Sequence, residues 1–186
     1  MDTDTQIKIL ESQVRELYGR VVWTHKTQEK CADIIWKRLT RIKIIQIVLS
    51  ALTTTGILVS VFGENSLVGI ISAIFAAFLF GLNTYTKDYD LGEISQKHSN
   101  AANELWNIRE SYLSLLTDLK TSEISVEQIK NRRDSLQEDL YNTYKGAPRT
   151  INAAYKKATS GLKTNEEMTF SVQEINNLLP EELRIK

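Results

Sequence analysis

Between Ile44 and Thr86 the chain carries a single charge. Two runs of twenty residues, Ile44 to Gly63 and Leu67 to Thr86, hold no Asp, Glu, Lys or Arg, and only Glu64, Asn65 and Ser66 separate them. As an α-helix at about 1.5 Å per residue, each run is about 30 Å long, the thickness of a bilayer's hydrocarbon core. Three residues cannot cross anything, so the runs predict a helical hairpin with both spans in one membrane, and Gly63 at the turn takes backbone angles that other residues avoid. A buried hairpin in a soluble core is the competing reading. It accounts poorly for two adjacent runs with no charge, because core helices keep a solvated face.

Whole-chain averages conceal this segregation. Of 186 residues, 42% are hydrophobic and 25% charged, with 23 basic and 23 acidic side chains, which by itself resembles an ordinary soluble helical domain. Zero net charge and the lack of a basic patch interleaved with aromatics give no reason to expect direct nucleic-acid binding. Two prolines favour long helices, and one cysteine, Cys31, excludes an intrachain disulfide and fits a reducing compartment. The first run is not expected to be a secretory signal, since 43 residues precede it with no basic start or small-residue cleavage pattern.

Lys30, Lys37, Arg38, Arg41 and Lys43 precede the first span, Lys87 and Lys97 follow the second, and the connecting turn has no basic residue. The positive-inside bias predicts both termini in the cytoplasm and Glu64 outside. Trp36, Tyr85 and Tyr89 stand where an inner aromatic belt belongs.

Outside the spans the period is helical. Ile7, Leu10, Val14, Leu17 and Val21, then Thr24, Gln28, Cys31, Ile35, Arg38 and Ile42, form a heptad seam with polar interruptions. Leu91, Ile94, His98, Ala101, Leu105, Ile108, Tyr112, Leu115 and Leu119 repeat at the same spacing after the second span. The hairpin sets these legs side by side as an antiparallel stalk. Ser125 with Gln128 opens a third, amphipathic helix that Gly146 and Pro148 stop. A short basic helix from Arg149 to Ala158 is ended by Gly161, Lys163 to Thr169 reads as a polar linker, and Ser171 with Glu174 caps a brief helix to Leu179. The expected fold is therefore all-α: a two-helix transmembrane hairpin continuous with a cytoplasmic antiparallel helical stalk, plus a third amphipathic helix and short C-terminal helices. Its parts are an N-terminal helix over 1–43, the hairpin over 44–86 with spans 44–63 and 67–86, a helical region over 87–161, and a linker and tail over 162–186.

Little in the chain suggests chemistry. His25 and His98 have no cysteine or carboxylate at metal-ligand spacing, and Cys31 reads as a small filler of the seam. There is no phosphate loop, nucleophile elbow or zinc-protease signature. No catalytic residue, cofactor or metal is expected, and the chain does not read as an enzyme.

The spans are more informative. Gly69, Ala73, Ala77 and Gly81 recur every fourth residue of the second, a small-residue pattern that lets helix backbones approach closely. Packing within the hairpin and packing between subunits fit this face equally. On the first span Ser50, Thr53, Ser60 and Glu64 fall within about 40° of Gln46 at about 100° per residue. Ile57 is the one bulky apolar residue on that side. Backbone-bonded hydroxyls are the plain explanation for each residue alone. Facing inward in an oligomer, Gln46, Ser50, Thr53 and Ser60 would line a wettable path, Ile57 would constrict it, and Glu64 would ring the outer mouth and favour cations.

Leu17-Tyr18-Gly19-Arg20, the run Trp23 to Lys30, the hairpin at 44–86 and the late segment Glu166-Glu167-Met168-Thr169-Phe170-Ser171 together resemble the SLATT domains, two-transmembrane effectors associated with SMODS nucleotidyltransferases and SLOG sensors in bacterial conflict systems. The similarity covers nearly the whole chain, and it is closest to the branch encoded near reverse transcriptases or nucleotidyltransferases. The resemblance implies an antiviral effector that oligomerises and breaches the inner membrane by pore formation or disruption, causing death or arrest of the host cell, as in abortive infection. It implies a lipid bilayer, further copies of the chain, and a nearby-encoded cytoplasmic sensor, nucleotide signal or reverse transcriptase as partners. It carries over no catalytic or ligand-binding residue. A non-conducting, membrane-anchored scaffold that tethers a cytoplasmic signalling partner is the alternative.

Overall fold

A computed structural model describes residues 2–63, 65–121 and 124–185 of the chain. Six α-helices and one short 3-10 turn follow one another, with no strand among the described residues. They are α1 (Thr3–Phe62), α2 (Ser66–Asp88), α3 (Leu91–Thr121), α4 (Val126–Gly146), α5 (Asn152–Lys163) and α6 (Val172–Leu178), with the 3-10 turn at Glu181–Leu183. The all-α expectation holds, and both charge-free runs are helical apart from Gly63, which follows α1 and does not take the left-handed backbone angles expected of it. These residues divide into two compact units, one of 1–30 with 101–186, the other of 31–100.

The first unit is built on the heptad seams. Leu10, Val14, Leu17 and Val21 of α1 join Leu105, Ile108, Tyr112, Leu115 and Leu119 of α3 and Ile129 and Leu140 of α4 in one buried cluster. Burying an aliphatic or aromatic side chain of this size contributes about 1.5–3 kcal/mol, so the seam and not helix propensity holds these helices together. α4 starts at the expected capping box, in which Ser125 accepts from the Gln128 backbone and the Gln128 side chain accepts from that of Ser125. It runs alongside α1 in the same direction. Arg133 donates to Gln13, Tyr144 to Thr24, and Gln28 to the Pro148 carbonyl, each pair 120 residues apart. Since α4 folds back on α3, with Arg132 ion-paired to Asp118, the α1 and α3 segments of this unit are antiparallel.

This unit departs from the sequence reading in its details: the helix expected over Arg149 to Ala158 is α5, from Asn152 to Lys163. Gly161 does not end a helix but lies buried within α5, where a Cβ would meet the Glu167 carboxylate at 3.0 Å. His25 replaces Thr24 on the buried face, between Val21 and Gln28, because a straight helix at 3.6 residues per turn drifts off a strict heptad.

In the second unit, α2 ends at Asp88 and α3 begins at Leu91, so the second span and the leg that follows are separate helices. Asp90 makes the break, its side chain accepting from the Glu93 backbone at 2.8 Å as an N-terminal cap. Ser95 donates to the Ala32 carbonyl at 3.0 Å, and the Arg38 guanidinium lies 5.6 Å from the Tyr85 ring centre. Leu39, not Arg38, is buried there.

Candidate functional site

The two apolar helices bury almost nothing of themselves: only 6% of the most apolar window in each is covered. Ile47, Leu58, Val61, Phe78 and Phe80 stand in the open. A soluble core helix hides such side chains, and apolar exposure on this scale belongs to a surface that meets lipid or other protein.

What the hairpin does cover is polar and small. Gln46 donates through Nε2 to Asn83 Oδ1 at 2.9 Å and to Thr86 Oγ1 at 3.2 Å. A Cβ on Gly69 would stand 2.5 Å from Ser60 Oγ, and one on Gly56 would collide with Ser72 Oγ. Ser72 instead bonds back to the Val68 carbonyl at 2.8 Å and is buried. Gln46, Thr53 and Ser60 lie at seven-residue steps on α1, as do Asn83, Ala76 and Gly69 on α2. This antiparallel register sets Thr53 opposite Ala76. The seam is thus a heptad interface made of side chains that a soluble coiled coil would place outside. Thr53 is 9% exposed, and its buried hydroxyl has no hydrogen-bond partner.

The stripe read from the sequence therefore divides. Gln46, Thr53 and Ser60 turn toward α2, whereas Ser50 and Ile57 are exposed on α1, and Glu64 lies outside the described residues. The small-residue face divides as well. Gly69 packs against Ser60, but Ala73, Ala77 and Gly81 are exposed, with nothing near the missing Cβ of Gly81. The second helix meets the first through Gly69, Ser72, Asn83 and Thr86, so of the four small residues only Gly69 marks the contact face and the polar residues mark the rest.

The first unit carries a separate cavity of about 560 Å³, walled by Tyr18 and Trp23 of α1, Arg109 and Leu113 of α3, and the segment from Lys163 to Phe170. Sequence reading treated that segment as a linker. It is instead fastened down. Glu167 accepts from Lys26 and from Lys30, each at 2.9 Å, and its carboxyl is held down at about 2 by the hydrogen bonds from Lys30 and Lys26. Burial pulls on the Lys26 amine, but bonds to Glu167 and Glu29 outweigh it and raise the group. Lys163 Nζ lies 5.4 Å from the Trp23 ring centre, and Trp23 meets Tyr155 at 6.0 Å. His25, at the edge of this cluster, is kept neutral by burial. Among the described residues no group of three or more His, Cys, Asp or Glu side chains is placed to hold a metal ion.

Two exposed apolar helices that meet along a polar seam define a membrane protein with a paired span. Residues 10–174 match the SMODS and SLOG-associating 2TM effector domain family 4, and the chain belongs to that family. No curated protein and no solved structure matches it.

Proposed function

We propose that this chain is the membrane-breaching effector of a bacterial conflict system, acting as a homo-oligomer in the inner membrane with both termini in the cytoplasm. The observation that carries the reading is the polar seam: Gln46 is stored on Asn83 and Thr86, and Thr53 and Ser60 face small residues of α2, in a hairpin whose apolar side chains are otherwise exposed. Storage costs little to reverse. Hydrogen bonds between membrane helices contribute about 0.6 kcal/mol each, and the Thr53 hydroxyl contributes no bond to the closed state. A signal that repacks the helical unit moves α1 against α2, and several opened hairpins then turn their stripes onto a shared axis, with Ser50 joining Gln46, Thr53 and Ser60 along it and Ile57 as the constriction. Ala73, Ala77 and Gly81, unused inside the hairpin, supply the close-packing face between copies. No catalytic step enters this mechanism.

Induction in bacteria with a potential-sensitive dye tests it. The parent chain is expected to depolarise the cells, and Thr53→Val with Ser60→Ala, which keep volume while removing hydroxyls, to cut the signal severalfold at equal membrane abundance. Depolarisation that ignores these changes would exclude the stripe as the conducting path. The scaffold reading has one observation in its favour, the exposed apolar side chains of the tail from Val172 to Ile185. It predicts no depolarisation at all.

A further inference from the structure

The segment from Thr164 to Phe170 is seated by charge and hydrogen bonds, not by burial. Glu167 sits on Lys26 and Lys30 at 2.9 Å each, its backbone N–H donates to the Gly161 carbonyl at 3.0 Å, and Gly161 leaves room for the carboxylate where any Cβ would crowd it at 3.0 Å. Met168 Sδ accepts from Arg109 Nη1 at 3.7 Å. The hinge that places Glu167 is Glu166, a non-glycine residue with φ of 51°. That left-handed angle is costly for a side chain with a Cβ, and a short strained hinge is the arrangement that invites exchange of a segment between identical chains.

Beyond the hinge, the tail gains almost no cover at home. α6 buries no residue, and Phe170, Val172, Ile175, Leu178, Leu183 and Ile185 are all exposed, Leu178 at 78%. The tail is nevertheless ordered within itself. Asn176 donates to the Ile185 carbonyl at 2.8 Å and accepts from its N–H at 3.0 Å, and Arg184 donates to the Leu179 carbonyl at 3.0 Å. A preformed apolar knob on a strained acidic strap is built to be delivered elsewhere. The tail is slightly acidic, with Glu174, Glu181 and Glu182 against Arg184 and Lys186, which gives it no attraction to an anionic lipid surface. The receiving chemistry already visible is a pair of lysines backed by a glycine and flanked by Arg109, and every copy of this chain carries it.

We propose that the strap and tail exchange between copies: Glu167 of one chain seats on Lys26 and Lys30 of a second, and the apolar face of the tail is buried between them. The proposal rests on the oligomeric reading above. Thr164, Asn165 and Glu166, the residues between α5 and Glu167, extend to about 10 Å, so exchange joins copies packed side by side on this face and not distant ones. Exchange leaves the seat of Glu167 unchanged, because every bond it makes in the second chain is one already made in the first, and only the apolar face of the tail gains a new surface. α1 carries the acceptor lysines and also the first span in one continuous helix, so exchange would link neighbouring first spans.

Two full-length chains of different tag size, one with Lys30→Cys and the other with Glu167→Cys, are co-expressed in membranes and treated with a short bis-maleimide. Cys31 is buried, and the parent chain serves as its control. A covalent dimer of the two tagged chains, severalfold above either homodimer, is expected. A chain carrying both changes that cross-links only within itself, with no mixed dimer from the separate chains, would overturn exchange. A general amine cross-linker on the same membranes separates the failures. Oligomers without the mixed cysteine dimer reject exchange and leave the oligomer standing, and the absence of both rejects the two together.

Discussion

Gln46 and Asn83 share a hydrogen bond of 2.9 Å near the basic end of the hairpin, and Thr86 accepts a second bond from the same amide. This is the most heavily hydrogen-bonded point of the seam described here, between residues 37 and 40 positions apart in the chain. Gln46→Leu removes both bonds while keeping an apolar body of similar length. Loss of about 1 kcal/mol of hairpin stability is expected. The midpoint of a denaturing-detergent titration in micelles reads it, and an unchanged midpoint would show that close packing alone holds this end.

Gly56 gives the opposite kind of evidence. A methyl group there overlaps Ser72 Oγ, and that hydroxyl is already committed to the Val68 carbonyl. Gly56→Ala should force the helices apart at a cost of about 1–3 kcal/mol. If opening the seam exposes the conducting path, the variant raises basal depolarisation above the parent's. Adding Ser72→Gly removes the colliding atom and should return it to the parent level. A Gly56→Ala chain that is as quiet as the parent, though present in the membrane, contradicts a gate at the seam.

The sequence made the hairpin and the legs legible because both rest on long patterns: forty charge-free residues in two runs, and apolar residues at three and four. Caps were equally plain, since Ser125 with Gln128 and Ser171 with Glu174 need only four residues each to declare themselves. Placement around a helix was harder. The small residues Ala73 and Ala77 suggested the contact face by their size, yet the register is set by Gln46 with Asn83 and by Gly56 with Ser72, pairs whose members lie far apart in the chain. The seat of Glu167 on Lys26 and Lys30 spans 137 residues or more and leaves no local signature. Gly161 looked like a helix stop for the same reason: what it makes room for arrives from beyond the helix.

Tyr112 is fully buried in the core of the first unit, its hydroxyl has no hydrogen-bond partner, and burial pushes the phenol up to about 12. An unmet buried hydroxyl carries a desolvation penalty of about 1–3 kcal/mol. Tyr112→Phe should therefore leave the packing intact and raise the melting temperature of the unit by a few degrees. A fall in melting temperature would mean the hydroxyl is bonded in solution.

Acidification should act in two separate phases. His25 and His98 are both held below 6.5 by burial, so they are neutral in the fold and gain a proton more readily when unfolded. Their contribution is present above about pH 6.5 and is lost as pH falls below it. Glu29, Arg109, Lys26 and Glu110 face His25, and His25→Gln should flatten part of this first phase. Glu167 works lower: its carboxyl is depressed from 4.5 to about 2, so the seat on Lys30 and Lys26 is complete above 4.5 and fails only as pH falls toward 2. Hydrogen exchange read by mass spectrometry should accordingly find residues 164–170 protected at both pH 7.5 and pH 5.5, while the melting temperature drops between those values. Glu167→Gln removes the charge at every pH and should leave the strap unprotected throughout. Strap exposure that begins near pH 6 in the parent chain would instead assign control of the segment to His25.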